Sequence, residues 1–306
     1  MDDKGIKVGE ATMRRWAAVA MKIRTADVLV QAITVPVEGS SFAVTDDMYP
    51  SESSSQWARE PLRSAVDHLT TWANHAIPLE QYEGQVVVHQ GFRWTFTLVR
   101  AALEGAAQSM WLTQAASPQE CVARLIRSVR HDISEEAKAW AALGRDSAAL
   151  KERANRHAER AELWKEWGKP APKLPAMVDL IRMSATYEDL DPNAVESMWR
   201  VCGAAAHGKD WAIRELQVFS AVREWRPGQY HFTGYPDAEK LTGMLEDATD
   251  FLDRATIRYL IRMGADVGRE LKDALITAAE RTPSTDNGEL VRAMREKFNS
   301  DFGSDR

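Results

Sequence analysis

Apolar residues recur at helical spacing along most of the chain. Trp16, Val19, Ala20 and Ile23 follow the i, i+3, i+4, i+7 pattern of a single helical face. Alternating strand and helix units are absent, which argues against a Rossmann or barrel enzyme. The sequence therefore predicts an all-α fold, a multi-helix bundle of about seven to nine helices. The predicted helices span 11–33, 57–76, 85–113, 118–143, 146–167, 177–188, a segment that begins at 192 and carries residues 200–207, 238–263, and an extension to 279.

Two segments break the helical pattern. Residues 35–55 contain Pro36, Pro50 and a Ser-rich run, so we expect a loop there, with a short strand at 41–44. Residues 224–235 have the composition of a turn or small hairpin. The predicted organisation is an N-terminal helix and loop (1–56), a helical bundle domain (57–263) and a C-terminal helical extension and tail (264–306).

Two helix starts carry strong local signals. Ser117 is an N-cap residue, Pro118 suits the first helical position, and Glu120 completes a capping box. Asp191 and Pro192 form a similar start for the helix that follows them. These signals predict where the two helices begin.

Composition and charge limit the classes of function. The chain is 44% hydrophobic and 27% charged, which is ordinary for a globular protein, and its formal net charge is −6. A nucleic-acid site would therefore be a local basic patch. Cys121 and Cys202 are too few for a disulfide framework, which favours a reducing compartment. No run of roughly 18 apolar residues and no signal-peptide pattern is present, so we expect a cytoplasmic protein that does not cross a membrane.

The common catalytic motifs are missing from the sequence. It contains no Gly-rich phosphate loop, no Gly-x-Ser-x-Gly elbow and no His-Glu-x-x-His motif. Its Cys and His spacings are not those of a zinc site. We therefore expect neither a metal nor another cofactor.

One Arg–His pair stands out by its surroundings. Arg200 and His207 are seven residues apart, so two helical turns place them on the same face, and only small or apolar residues lie between them. Such a setting permits close approach by a second helix. Three other pairs have a similar spacing but a different context: Arg63/His68, Arg124/His131 and Arg226/His231. The first lies about 140° apart around a helix, the second lies in a strongly charged helix, and the third spans a Pro-Gly turn.

A polar stripe accompanies this pair. Arg100, Glu104 and Gln108 recur at i, i+4 and i+8 on a long helix that is otherwise apolar, and Trp111-Leu112 follows them. Together with the helix that ends in small residues and His207-Gly208, this arrangement resembles the HEPN superfamily of helical ribonucleases. The resemblance spans roughly residues 57–262. The position directly after the motif Arg, usually polar in that family, is Val201 here.

The resemblance implies a function. HEPN ribonucleases cut RNA without a metal in a cleft that a dimer forms from two Arg/His helices. Arg200 would hold the scissile phosphate, His207 would act in acid/base transfer around the ribose 2′-OH, and Arg100 and Glu104 would support them. The expected partners are RNA, a second copy of the chain and, for a member associated with toxin–antitoxin or phage-defence systems, an antitoxin or another protein.

Each of these residues also has a purely structural interpretation. In this interpretation His207 interacts with the carbonyls at the end of its helix, and Arg100 and Glu104 form a structural ion pair. The stripe of Arg124, Arg127 and Arg130 is either an RNA-binding surface or a solvated face with interspersed acids. The eleven Trp favour core packing over base stacking, since they lie on apolar helical faces. The rival hypothesis is a non-catalytic helical binding or interaction protein, a degenerate HEPN.

Overall fold

Helices make up most of the part of the chain that the structure describes. The structure is a computed structural model, and it describes residues 8–77, 92–162 and 174–281. Within these ranges the helices are α1 (Glu10–Ala32), α2 (Ser41–Met48), α3 (Ser54–Ala76), α4 (Phe92–Thr113), α5 (Pro118–Ala142), α6 (Ala148–Glu162), α7 (Met177–Tyr187), α8 (Pro192–Ala206), α9 (Asp210–Glu215), α10 (Ala238–Met263) and α11 (Val267–Arg281). An antiparallel hairpin of β1 (Gln217–Arg226) and β2 (Gln229–Pro236) separates α9 from α10. The predicted all-α multi-helix bundle with a minor hairpin is confirmed.

Most helix bounds agree with the apolar periodicity, and the differences have local causes. The predicted strand at 41–44 is wrong, because Ser40 caps a helix there by accepting a hydrogen bond from the Ala43 N–H and Phe42 packs into the core. The hairpin extends beyond the predicted 224–235 to 217–236. The predicted helical stretches at 85–91 and 163–167 lie outside the described residues, as does the tail from 282 onward.

Both predicted capping signals are confirmed. Ser117 Oγ accepts from the Glu120 N–H at 3.1 Å as predicted, whereas Glu120 Oε2 accepts at 3.0 Å from the N–H of Ala116, the residue before the N-cap, and not from that of Ser117. Asp191 Oδ1 accepts from the Asn193 N–H at 2.9 Å and so starts α8. These bonds fix the first turns of α5 and α8.

One apolar core joins α1 to the helices between α3 and α11. Trp16 of α1 packs edge-to-face on Trp72 of α3 at 6.2 Å between ring centroids, and its indole N–H donates to Thr242 Oγ1 of α10 at 2.7 Å. The core therefore extends on both sides of the predicted 57–263 bundle. None of the helices in the described ranges is long and apolar enough to cross a membrane.

Helix α4 lies at the centre of the bundle. It packs on α3, α5, α7, α8 and α10. Its buried small residues, Ala102, Gly105 and Ala106, permit this close packing. At Gly105 the approach is so close that an added Cβ would collide with the backbone carbonyl oxygen of Pro61 in α3.

The crossing of α3 and α4 leads to a stability prediction with a matched control. Gly105→Ala should lower the free energy of unfolding by about 1–3 kcal/mol, because the Pro61 carbonyl belongs to the backbone and cannot move aside by a change of rotamer. Gly243→Ala in α10 should raise it by up to about 1 kcal/mol, because a Cβ there meets nothing within 4 Å and alanine favours the helix. Denaturant unfolding followed by circular dichroism measures both. A stabilising Gly105→Ala would contradict the close approach of α3 and α4.

Candidate functional site on α4 and α8

Helices α4 and α8 run antiparallel, and they bring the predicted site residues into one region. Arg100 of α4 lies against Gly203 of α8, whereas Glu104, one turn further along α4, lies against Trp199, one turn earlier in α8. A Cβ at Gly203 would collide with the Arg100 guanidinium. The glycine in the small-residue stretch therefore accommodates α4 of the same chain.

The contact between the two helices centres on one carboxylate. Glu104 Oε1 accepts from Arg100 Nε and from the Trp199 indole N–H, both at 2.8 Å. The Arg100 guanidinium carbon also lies 5.1 Å from the Trp199 ring centroid, within range of a cation–π interaction. Each of these three side chains thus has a partner on the other helix or on the next turn. We call Arg100, Glu104 and Trp199 the α4–α8 cluster.

Arg200 lies on the outer side of this cluster and faces solvent. Its side chain is 57% exposed and its Nε donates to Glu196 Oε1 at 2.7 Å. Glu196 also accepts from Arg182 of α7. The guanidinium groups of Arg200, which has the larger effect, and of Arg182 lower the pKa of Glu196. Arg200 consequently shares its carboxylate partner with Arg182, and its side chain remains accessible to solvent.

His207 is at the C-cap of α8 and its side chain is exposed. Its backbone N–H donates to the Gly203 carbonyl at 3.1 Å, so the residue closes the helix through its backbone. Gly208 follows with a φ of 69°, a left-handed conformation that favours glycine. The spacing of seven residues separates Arg200 from His207 by about 10.5 Å along the helix axis. The two side chains therefore face the same side of α8 without meeting.

Arg93 is a further cation at this end of the site. It lies in the first turn of α4 with its side chain exposed, and a Cβ at Gly208 would lie 3.9 Å from its Nη1. The sequence analysis did not select Arg93, because its proximity to residue 208 depends on the pairing of two distant helices. The available signal for Arg93 was that it precedes Arg100 by seven residues, because this spacing places both side chains on one face of α4.

Below the site, Cys202 is not available as a nucleophile. Its side chain is fully buried, and this burial raises the pKa of the thiol to about 12. Cys121 is likewise buried, with its pKa raised to about 11. Both thiols are protonated at neutral pH and serve as core residues.

The predicted RNA-binding stripe on α5 divides into three different environments. Arg124 is held by contacts within the fold. It donates to the Trp111 carbonyl at 2.6 Å and to the Glu120 carboxylate, and its guanidinium carbon lies 4.2 Å from the Trp111 ring centroid. Arg127 is half-buried, and this burial, with the nearby Arg124, lowers its pKa to about 10. Arg130 is exposed. Arg124 contacts the carboxyl end of α4, whereas α8 contacts the middle of α4, so the stripe and the Arg200/His207 pair are separate groups.

A cavity of about 1580 Å³ lies beside this stripe, between α3, α4, α5 and α7. Its apolar lining includes Trp57, Trp111 and Met177, and Arg127 and Arg130 contribute cations. Four carboxylates also line it: Glu52, Glu60, Asp132 and Asp179. The mixed charge does not define one class of ligand.

A buried polar group fastens α6 to the loop before α3. His157 Nδ1 lies 2.6 Å from the Tyr49 hydroxyl, and its Nε2 lies 3.4 Å from Glu52 Oε1. Burial lowers the pKa of His157. The imidazole is therefore neutral at neutral pH and holds two segments of the fold together. Elsewhere among the described residues, no cluster of three or more His, Cys, Asp or Glu side chains could hold a metal ion.

Comparison of the chain with protein-family models, curated proteins and solved structures found no match. The resemblance to HEPN ribonucleases therefore stays a prediction that depends on the sequence motifs. The geometry of α4 and α8 supplies the independent observations on which a function can be proposed.

The α4–α8 cluster leads to a prediction for Glu104. Glu104→Ala should lower the free energy of unfolding by about 1–2 kcal/mol, because it removes the shared acceptor of Arg100 and Trp199. Glu104→Gln should cost less, since its amide oxygen can still accept from the indole N–H. Urea unfolding measures the difference.

The matched control is Glu135→Ala, which removes an exposed ion pair with Lys138 and should leave the free energy of unfolding nearly unchanged, because solvent screens this pair. Equal effects of Glu104→Ala and Glu135→Ala would mean that the cluster does not couple α4 to α8.

Proposed function

We propose that the protein is a metal-independent endoribonuclease whose site is the outer face of α8, beside the α4–α8 cluster. The observation that carries this proposal is that Arg200 and His207 both expose their side chains on one face of the same helix. Imidazole is the side chain most often used in general acid–base catalysis, and an exposed guanidinium can bind a phosphate. Arg93 and Arg100 add positive charge beside them.

The chemistry assigned to these residues is transfer of the phosphate to the ribose 2′-oxygen. His207 would take the proton from the 2′-OH, the 2′-oxygen would attack phosphorus, and the bond to the 5′-oxygen would break. The products would be a 2′,3′-cyclic phosphate and a 5′-hydroxyl, which receives a proton from a second imidazole. Arg200 would stabilise the charge on the phosphate oxygens.

This mechanism needs a second copy of the chain. The reaction uses one imidazole as the base and another as the acid, and the α8 of each chain brings a single imidazole, His207, to this face. Two α8 helices packed antiparallel would place Arg200 of each copy beside His207 of the other. Such a homodimer would also supply the two imidazoles that serve as base and acid.

A second candidate function is a non-catalytic interaction protein. The observation that favours it is that two of the three cations described at the site already pair with a carboxylate, Arg200 with Glu196 and Arg100 with Glu104. In that case the ion pairs would serve to join α4, α7 and α8, and His207 would only terminate its helix.

Cleavage of labelled RNA in the presence of EDTA distinguishes the two candidates. The wild-type chain should release fragments ending in 2′,3′-cyclic phosphate, and His207→Ala should lower the rate by roughly 100-fold or more, because the proton acceptor is lost. Arg200→Ala should give a comparable loss.

His68→Ala is the matched control for this experiment. His68 is a partly buried histidine on α3 whose ring bonds the Ser64 carbonyl, so its removal should leave the rate unchanged. If folded wild-type dimer cuts no RNA, or if His207→Ala cuts as fast as wild type, the ribonuclease proposal is wrong and the interaction protein is favoured.

A further inference from the structure

The β1–β2 hairpin exposes more aromatic surface than the fold requires. Trp225, Tyr230 and Phe232 are 50%, 51% and 61% exposed. They lie in the outer half of the hairpin, where residues 223–232 are all exposed. A two-stranded hairpin is marginally stable by itself and normally covers an aromatic face with another element. Here the rest of the described chain covers neither face at this end.

The two faces of the hairpin differ in charge. Arg223 and His231 are cross-strand partners and therefore point to the same face. The Trp225 ring lies 5.6 Å from the His231 ring, and the Arg226 guanidinium lies 4.3 Å from the Trp225 ring centroid. We call the surface formed by Arg223, Trp225, Arg226 and His231 the Trp225 face.

The opposite face carries Tyr230 and Phe232, whose ring centroids are 6.4 Å apart. It also carries Glu224, the cross-strand partner of Tyr230 and the sole carboxylate between residues 217 and 236. Glu224 accepts a hydrogen bond from the Gly228 N–H and so stabilises the turn. The Trp225 face consequently holds aromatic rings and cations without an acidic residue, in a chain whose net charge is −6.

We propose that the Trp225 face binds single-stranded RNA. Bases would stack on the Trp225 indole and the His231 imidazole, while Arg223 and Arg226 would contact the neighbouring phosphates. Base stacking on exposed aromatic side chains, with cations following the backbone, is the usual physical basis of single-strand binding. A duplex would not serve, because its bases are already stacked on each other. A second copy of this face is disfavoured as the occupant, because Arg223 and Arg226 of the two copies would repel each other.

The base of the hairpin follows the candidate catalytic face closely along the chain. His207 ends α8, and the short helix α9 packs on α8 and leads directly into β1. At the base of the hairpin the Asp237 N–H donates to the Leu216 carbonyl at 3.0 Å, which joins the start of α10 to the end of α9. This inference rests on the proposed function for its substrate, since it makes the hairpin the element that presents a single strand to His207.

Binding can be tested separately from cleavage. We would measure the anisotropy of a fluorescent oligouridylate of about ten nucleotides, a length within the usual range for single-strand sites, using the full chain with His207→Ala to prevent cleavage. Adding Trp225→Ala should raise the Kd about tenfold through the lost stacking. Arg226→Gln should reduce the slope of log K against log salt by roughly 0.7.

Phe232→Ala is the matched control, because Phe232 is equally exposed but lies on the opposite face. It should change the Kd by no more than about twofold. An unchanged Kd in Trp225→Ala, or equal losses in Trp225→Ala and Phe232→Ala, would overturn the assignment. So would a Trp225→Ala substitution that converts a dimer to a monomer in light scattering while oligouridylate does not bind, which would make the face a protein interface.

This binding assay, combined with the RNA cleavage assay described above, separates this inference from the proposed function. RNA that binds through Trp225 but is never cut by the wild-type chain supports the hairpin assignment and contradicts the ribonuclease. RNA that is cut at the same rate and bound with the same Kd by Trp225→Ala contradicts the hairpin assignment alone.

Discussion

The close packing of α4 is the constraint on which the rest of the structure depends. On one side of this helix Gly105 has no side chain, and the backbone of α3 approaches it directly there. Another side carries Arg100 and Glu104, which face α8, and Arg93, which lies near Gly208 just past the end of α8. A helix that must pack on five others has no solvated face of ordinary size. Its polar residues are therefore placed where they meet a partner, and the candidate site results from that placement.

Besides Glu104, a more deeply buried carboxylate helps to set the direction in which the chain enters α8. Glu188, at the end of α7, is almost fully buried and accepts from Arg258 of α10 at 2.8 Å and from Gln114, just past α4, at 3.4 Å. The next residue, Asp189, has a φ of 55°, a left-handed backbone conformation that is uncommon for residues other than glycine. Helix α10 and the residue just past α4 thus hold the end of α7, and the turn that follows leads the chain into the Asp191 cap of α8. Loss of this ion pair would leave a buried charge unpaired at the turn that leads into the helix carrying Arg200 and His207.

Local signals in the sequence predict the helices well, because periodicity and caps act over one or two turns. The starts of α5 and α8 follow from Ser117 and Asp191, and the bounds of α10 agree with its apolar pattern. The error at 41–44 has the same origin, since four residues are too few to separate a strand from a short helix and the cap at Ser40 decided the outcome.

The parts of the site that the sequence did not predict depend on contacts between distant segments. Nothing near Arg124 in the sequence indicates that the Trp111 carbonyl will occupy it, and nothing near Glu104 indicates that the Trp199 indole will donate to it. Exposed tryptophans are a related case. Trp211 and Trp225 were expected in the core with the others, but each is about half exposed, because a helix of six residues and a projecting hairpin have too little surface behind them to bury an indole.

The small residues between Arg200 and His207 serve a different purpose from the one that the sequence suggests. Gly203 is small because the Arg100 guanidinium of the same chain lies against it, and Ala205 is fully buried. The outward face of α8 is a separate stripe of Arg200, Ala204 and His207, spaced at i, i+4 and i+7, in which the alanine is the only residue of small volume. Ala204 is partly exposed and lies between the two candidate catalytic side chains. A second α8 could therefore approach at Ala204 without displacing α4, so the dimer proposed above would use a different face of the helix from the one that packs inside the chain.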